Sequence, residues 1–109
     1  MSPITTHVLD ASSGLPAAGI PITLEFLETA TWSWVALSRG ETGADGRFLD
    51  LLPGDHTFEG GAYRLRFDTS QLSHFYPEVT VQFRVIDTRQ HYHVPLVFSP
   101  FGYNTYRGS

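Results

Sequence analysis

Apolar and polar residues alternate with a period of two along most of the chain, and apolar positions at helical spacing are nearly absent. In "ITTHVLD", Ile4, Thr6 and Val8 share one face, and Thr5, His7 and Leu9 share the other. "IPITLEFLE" sets Ile20, Ile22, Leu24 and Phe26 against Pro21, Thr23 and Glu25. "TWSWVALSRGET" divides Trp32, Trp34 and Ala36 from Ser33, Val35 and Leu37, and "GGAYRLRFD" sends Tyr63, Leu65 and Phe67 inward with Arg64 and Arg66 outward. "EVTVQFRV" buries Val79, Val81, Phe83 and Val85. "HYHVPLVF" separates His91, His93, Pro95 and Val97 from Tyr92, Val94, Leu96 and Phe98, and "YNTYRGS" places Asn104 and Tyr106 on one face of a last strand.

Turn chemistry punctuates these runs. "SSGLPAAG" is a loop, and Asp45-Gly46 is a tight-turn dipeptide that delivers Arg47 at the first position of a short strand. "TSQLSHFYP" is the one predicted helix, with Thr69 or Ser70 as its cap and Pro77 as its stop. Seven or eight short strands with one helical turn predict an all-β sandwich rather than βαβ units. Pro95 is the discordant residue, because proline removes a ladder donor from a strand otherwise predicted to be continuous.

Composition narrows the picture. The 109 residues, 41% apolar and 14% aromatic, suit a single domain over 1–109 with one core. Lys+Arg number 7 against 11 Asp+Glu, for a net charge of −4, and no basic block occurs, so neither a nucleic acid nor an anionic membrane surface is the expected partner. With no cysteine, disulfides, thiolate metal sites and a cysteine nucleophile drop out. "MSPITTHVLD" has neither a basic nor an apolar leader segment, which makes the cytoplasm the default address, or the peroxisome in a eukaryote.

The candidate chemistry lies on faces opposite the core set. A strand face carrying His7 with Leu9, His93 with Pro95 and Val97, and Asn104 with Tyr106 mixes apolar and polar groups as an interface or ligand site does; the bland reading is a half-wet sheet face. The H-x-H spacing of His91 and His93, with His7 as a third ligand, is one reading, a metal centre, but no carboxylate lies at a ligand-like spacing. The sharper reading needs no metal or other cofactor: two imidazoles that titrate near neutrality and one arginine can activate water and hold a developing oxyanion. Arg47 is the candidate cation; His56 and His74 read as loop and surface residues. No G-x-S-x-G elbow is present.

"THVLD" near the start, "DGR" in the middle, "HYHVPL" and the closing "SPFGYNTYRGS" resemble the 5-hydroxyisourate hydrolases of the transthyretin-like family, over about Ile4 to Ser109. Transthyretin itself shares "SP-x-x-Y" but not the histidines or the Tyr-Arg-Gly-Ser ending; Asn104 departs from the usual serine. The resemblance implies a Greek-key sandwich of two four-stranded sheets with one short helix, assembled as a homotetramer with active sites where dimers meet. It implies His7, Arg47 and His93 as catalytic residues, with Tyr106, Arg107, Gly108 and Ser109 completing a substrate pocket and His91 in support at most. The implied reaction is cofactor-free hydrolysis of the N1–C6 amide of 5-hydroxyisourate, a step of urate breakdown. The alternatives are a transthyretin-like carrier of a small ligand without catalysis, a structural β-sandwich, and the metalloenzyme of His7, His91 and His93.

Overall fold

In the computed structural model, which describes residues 2–108, the alternating runs become strands: β1 (Ile4–Asp10), β2 (Leu15–Pro16), β3 (Pro21–Glu28), β4 (Ser33–Glu41), β5 (Arg47–Phe48), β6 (Gly61–Asp68), β7 (Glu78–Val85), β8 (Tyr92–His93), β9 (Leu96–Ser99) and β10 (Gly102–Thr105). They form two sheets. One is antiparallel throughout, in the order β4-β3-β6-β7. The other runs β10-β9-β1-β2, with β5 and β8 also paired to β1. β8 and β9 lie parallel to β1 at the same offset along one edge, while β5 and β2 share its other edge. The second sheet therefore has four lanes, two of them interrupted.

Residues from both sheets meet in one core. Ile4, Val8, Leu96 and Phe98 come from the sheet built on β1, and Ile22, Leu24, Leu65, Phe67 and Val79 from the other. Arg64 and Arg66 point outward as the alternation requires, where they reach Glu25 and Glu78. Leu65 sits mid-strand in β6, paired to Leu24 on one side and Val81 on the other, and is fully buried. Leu65→Ala is expected to lower unfolding stability by about 2–5 kcal/mol; urea titration checks this, and a change below 1 kcal/mol would mean that the core collapses around the site.

Two local features differ from the sequence expectation. The segment 69–77 is a turn, and no helix occurs among the described residues. One helical turn does begin, with the Thr69 carbonyl accepting from Leu72 and Ser73 N–H (2.9 and 3.0 Å). The Ser73 hydroxyl then accepts from the N–H groups of Phe75 and Tyr76 at 3.0 and 2.9 Å, offering the backbone partners outside a helix. The second feature is Pro95. It falls in the gap between β8 and β9, so no ladder bond is lost to it. The carbonyls at the gap are satisfied by threonines: Thr6 Oγ1 donates to Val94 O at 2.5 Å and Thr105 Oγ1 to Pro95 O at 2.9 Å. Among the described residues no helix is long and apolar enough to cross a membrane.

Candidate active site

Strand register gathers the histidines. His7 on β1 is directly opposite Arg47 on β5, and Thr5 is opposite His93 on β8. Since side chains alternate across a strand, Thr5, His7, Arg47 and His93 all project from the same outer face of the sheet, with Ile4, Thr6 and Val8 turned into the core. Continuing the β1/β9 register brings Pro95 alongside His7, and Asn104 joins this face through its pairing with Val97.

Arg47 is placed by the turn before it. Gly46 adopts φ +78°, and a Cβ there would lie 2.5 Å from the Val8 carbonyl oxygen, so only glycine fits both the backbone and the space. The Asp45 carboxylate accepts from the Arg47 backbone N–H at 3.0 Å, while its distance to the guanidinium Nε is 3.9 Å, with both side chains exposed. An ion pair that loose contributes little and leaves the guanidinium available to an anion. The same turn holds His7: its Nε2 lies 2.8 Å from the Asp45 carbonyl oxygen. A carbonyl only accepts, so Nε2 carries the hydrogen and Nδ1 is the basic nitrogen of the neutral ring.

His93 is gripped on two sides. Its Nδ1 lies 2.8 Å from Thr5 Oγ1, and the chain's end passes behind the ring, where Gly108 N–H donates to the His93 carbonyl at 2.8 Å. A Cβ on Gly108 would sit 2.6 Å from His93 Cδ2. Gly108 is needed for this close approach and not for a left-handed turn, since it is absent from the positive-φ glycines. Burial lowers the His93 pKa below the ordinary imidazole value, and the positive charge of Arg47 and of the neighbouring His91 and His7 pushes it the same way. His93 is therefore a neutral imidazole beside a cation.

The rest of the tail is arranged differently. Arg107 stacks over the Tyr92 ring at 4.4 Å and donates to Gln90 Oε1 and the His91 carbonyl at 2.8 and 3.3 Å. Tyr106 and Arg107 line a largely apolar cavity of about 240 Å³ with Val81, Phe83, Tyr92 and Val94; it contains none of His7, Arg47 or His93. In the single protomer Gly108 lies against the His93 ring, Arg107 meets the histidines through the His91 carbonyl, and Ser109 lies outside the described residues. His91 is exposed and reaches Thr5 Oγ1 through Nε2 at 2.9 Å, so both histidines of H-x-H turn a nitrogen to one hydroxyl. No group of three or more His, Cys, Asp or Glu side chains is arranged to hold a metal ion among the described residues. Sequence reasoning passed over Thr5, because only the β1/β8 register places it against the histidines.

The model of the HIUase/Transthyretin family matches residues 4–108. The chain belongs to the HIUase/Transthyretin family. Among HIUase/Transthyretin relatives, the 5-hydroxyisourate hydrolase of Mus musculus is 44% identical, over 99% of this chain and 96% of the mouse protein. The 5-hydroxyisourate hydrolase of Salmonella dublin is 40% identical, over 97% of this chain and 80% of that protein. Among solved structures, sea bream transthyretin in complex with thyroxine superposes with a TM-score of 0.88 at 28% identity, covering 98% of this chain and 95% of that one.

Proposed function

We propose that this chain is a single-domain enzyme that hydrolyses the N1–C6 amide of 5-hydroxyisourate to 2-oxo-4-hydroxy-4-carboxy-5-ureidoimidazoline. The observation that carries the reading is the meeting of His7, His93 and Arg47 on one sheet face. The full-length similarity to 5-hydroxyisourate hydrolases supports it. One of the two imidazoles takes a proton from water as its oxygen bonds to C6. Arg47 offers a fork of donors to the oxyanion that forms on the C6 oxygen. The C6–N1 bond then breaks, and the imidazolium returns the proton to N1. No cofactor enters these steps.

The face is open in one protomer, and a flat, polar substrate needs walls. A homotetramer would supply them, with the faces of two dimers opposed. Large apolar side chains left exposed, including Leu15, Phe101 and Tyr106 at 63, 80 and 53% accessibility, favour such burial. So do β7 and β10, which end their sheets with unpaired backbone groups. In that assembly Tyr106, Arg107, Gly108 and Ser109 complete the substrate pocket. Cytoplasm, or the peroxisome in a eukaryote, is the proposed location.

The likeness to a thyroxine-binding transthyretin favours one competitor, a carrier without chemistry. Generating 5-hydroxyisourate from urate in the cuvette and following its absorbance separates the two. An enzyme shortens the lifetime in proportion to its concentration; a carrier leaves it unchanged or prolongs it.

The low pKa of His93 sets a pH signature. A base whose pKa is depressed stays neutral further into acid, so the acid limb of kcat/KM should fall below about 6.5. Arg47→Gln removes a cation that depresses this pKa, so whatever activity remains should have its acid limb moved upward. A wild-type limb at or above 6.5 would mean that His93 is not the group being titrated.

A further inference from the structure

Thr5 is placed to do more than fill the strand. Its side chain is almost fully buried, and its one hydroxyl lies between two imidazole nitrogens, His91 Nε2 at 2.9 Å and His93 Nδ1 at 2.8 Å. A hydroxyl has a single proton to give and lone pairs with which to accept. It can donate to only one of these nitrogens, and the other ring must bring its own N–H. The protonation states of His91 and His93 are thereby coupled. In one arrangement His93 Nδ1–H donates to Thr5, Thr5 donates to His91 Nε2, and His93 Nε2 is bare. In the other, His91 Nε2–H donates to Thr5, Thr5 donates to His93 Nδ1, and His93 Nε2 carries the hydrogen.

The surroundings favour the first. His91 is exposed, so water solvates its second nitrogen in either tautomer and it costs little to make Nε2 the acceptor. His93 has Thr5 and His7 beside it from β1, Arg47 from β5, His91 from its own segment and Gly108 behind it. Arg107, the other nearby cation, is directed to Gln90 and the His91 carbonyl. With Nδ1 occupied by Thr5, Nε2 is the nitrogen left to the face shared with Arg47. A guanidinium on that face favours a lone pair there over an N–H. Building on the hydrolase reading above, we propose that Thr5 and His91 are positioning residues that hold His93 as the Nδ1–H tautomer, so that Nε2 is the nitrogen that deprotonates water.

The test uses the full chain, 15N-labelled, with long-range proton–nitrogen correlation of the imidazoles above their titration range, beside kinetics on 5-hydroxyisourate. In the wild type His93 should show a protonated Nδ1 and a bare Nε2. His91→Phe removes the acceptor at an exposed position. The Thr5 proton should then turn to His93 Nδ1, and the tautomer should move to Nε2–H with kcat down roughly 10–100-fold, the size of effect seen when an imidazole loses its orienting partner. Thr5→Val should lower kcat by about as much with KM little changed, and Thr5→Ser should restore both tautomer and rate. An Nε2–H tautomer in the wild type, or a His93 spectrum indifferent to His91→Phe, overturns the proposal. Failure to hydrolyse 5-hydroxyisourate would overturn the functional reading instead, and the spectra would still report on the coupling.

Discussion

His93→Asn should lower kcat by about 10²–10⁴-fold while leaving the fold intact, and His7→Asn should fall in the same range. Asparagine is smaller than the ring and places an amide near where Nδ1 was. At His93 the bond across to Thr5 can be imitated; at His7 the bond to the Asp45 carbonyl comes from Nε2, beyond the reach of asparagine, and is lost; in both variants the proton carrier is gone. Neither residue is in the apolar core, so thermal denaturation should move by only a few degrees. If the imidazoles divide the work as acid and base, the double variant should be scarcely slower than either single one, because residues acting as a unit do not contribute additively. A double loss equal to the product of the single losses would mean two independent roles.

Gly108→Ala should be the most damaging conservative change in the tail, with a loss of about 10²-fold in kcat. The added methyl would sit 2.6 Å from His93 Cδ2, well inside contact distance. The ring cannot simply yield, because Thr5 fixes its other edge at Nδ1. Either His93 tilts away from its working position, or the tail lifts and the bond from Gly108 N–H to the His93 carbonyl is lost. A displacement of about 1 Å at a reacting group is enough for a loss of this size. The tail is joined to β8 by an isolated bridge and not by a long ladder, so global stability should scarcely change. Full activity in Gly108→Ala would show that the close approach of the tail to His93 has no part in the reaction.

Much of this was legible in the alternation. Ile22, Leu24, Tyr63, Leu65 and Phe67 are buried as a period of two requires, and Asp45-Gly46 forms the turn that presents Arg47. A sheet face repeats every second residue, so a pattern along one strand fixes which side chains share it. The pattern is silent about which strands lie side by side. Thr5 could be placed on the His7 face from the sequence, but its contact with His91 and His93 depends on a parallel pairing with residues 86 and 88 positions further along the chain. Alternation also fails where side chains compete with the backbone. Ser73 ends a turn that its neighbours would have continued as a helix, and Trp32, read as part of a strand, sits in the β3–β4 connection with φ 55°. Tyr106 and Arg107 follow the last residue of β10, and beyond a strand's end its face no longer determines direction. Their side chains line the cavity beside Tyr92, which strand parity could not indicate.

The most direct test of the account is the rate of 5-hydroxyisourate disappearance above its spontaneous decay, measured for the unaltered chain and for a His7→Asn, His93→Asn double variant at equal concentration. The account predicts a rate that rises in proportion to the unaltered protein and falls to the spontaneous value with the variant. Decay at the spontaneous rate with the unaltered chain, or acceleration that survives in the double variant, would contradict it.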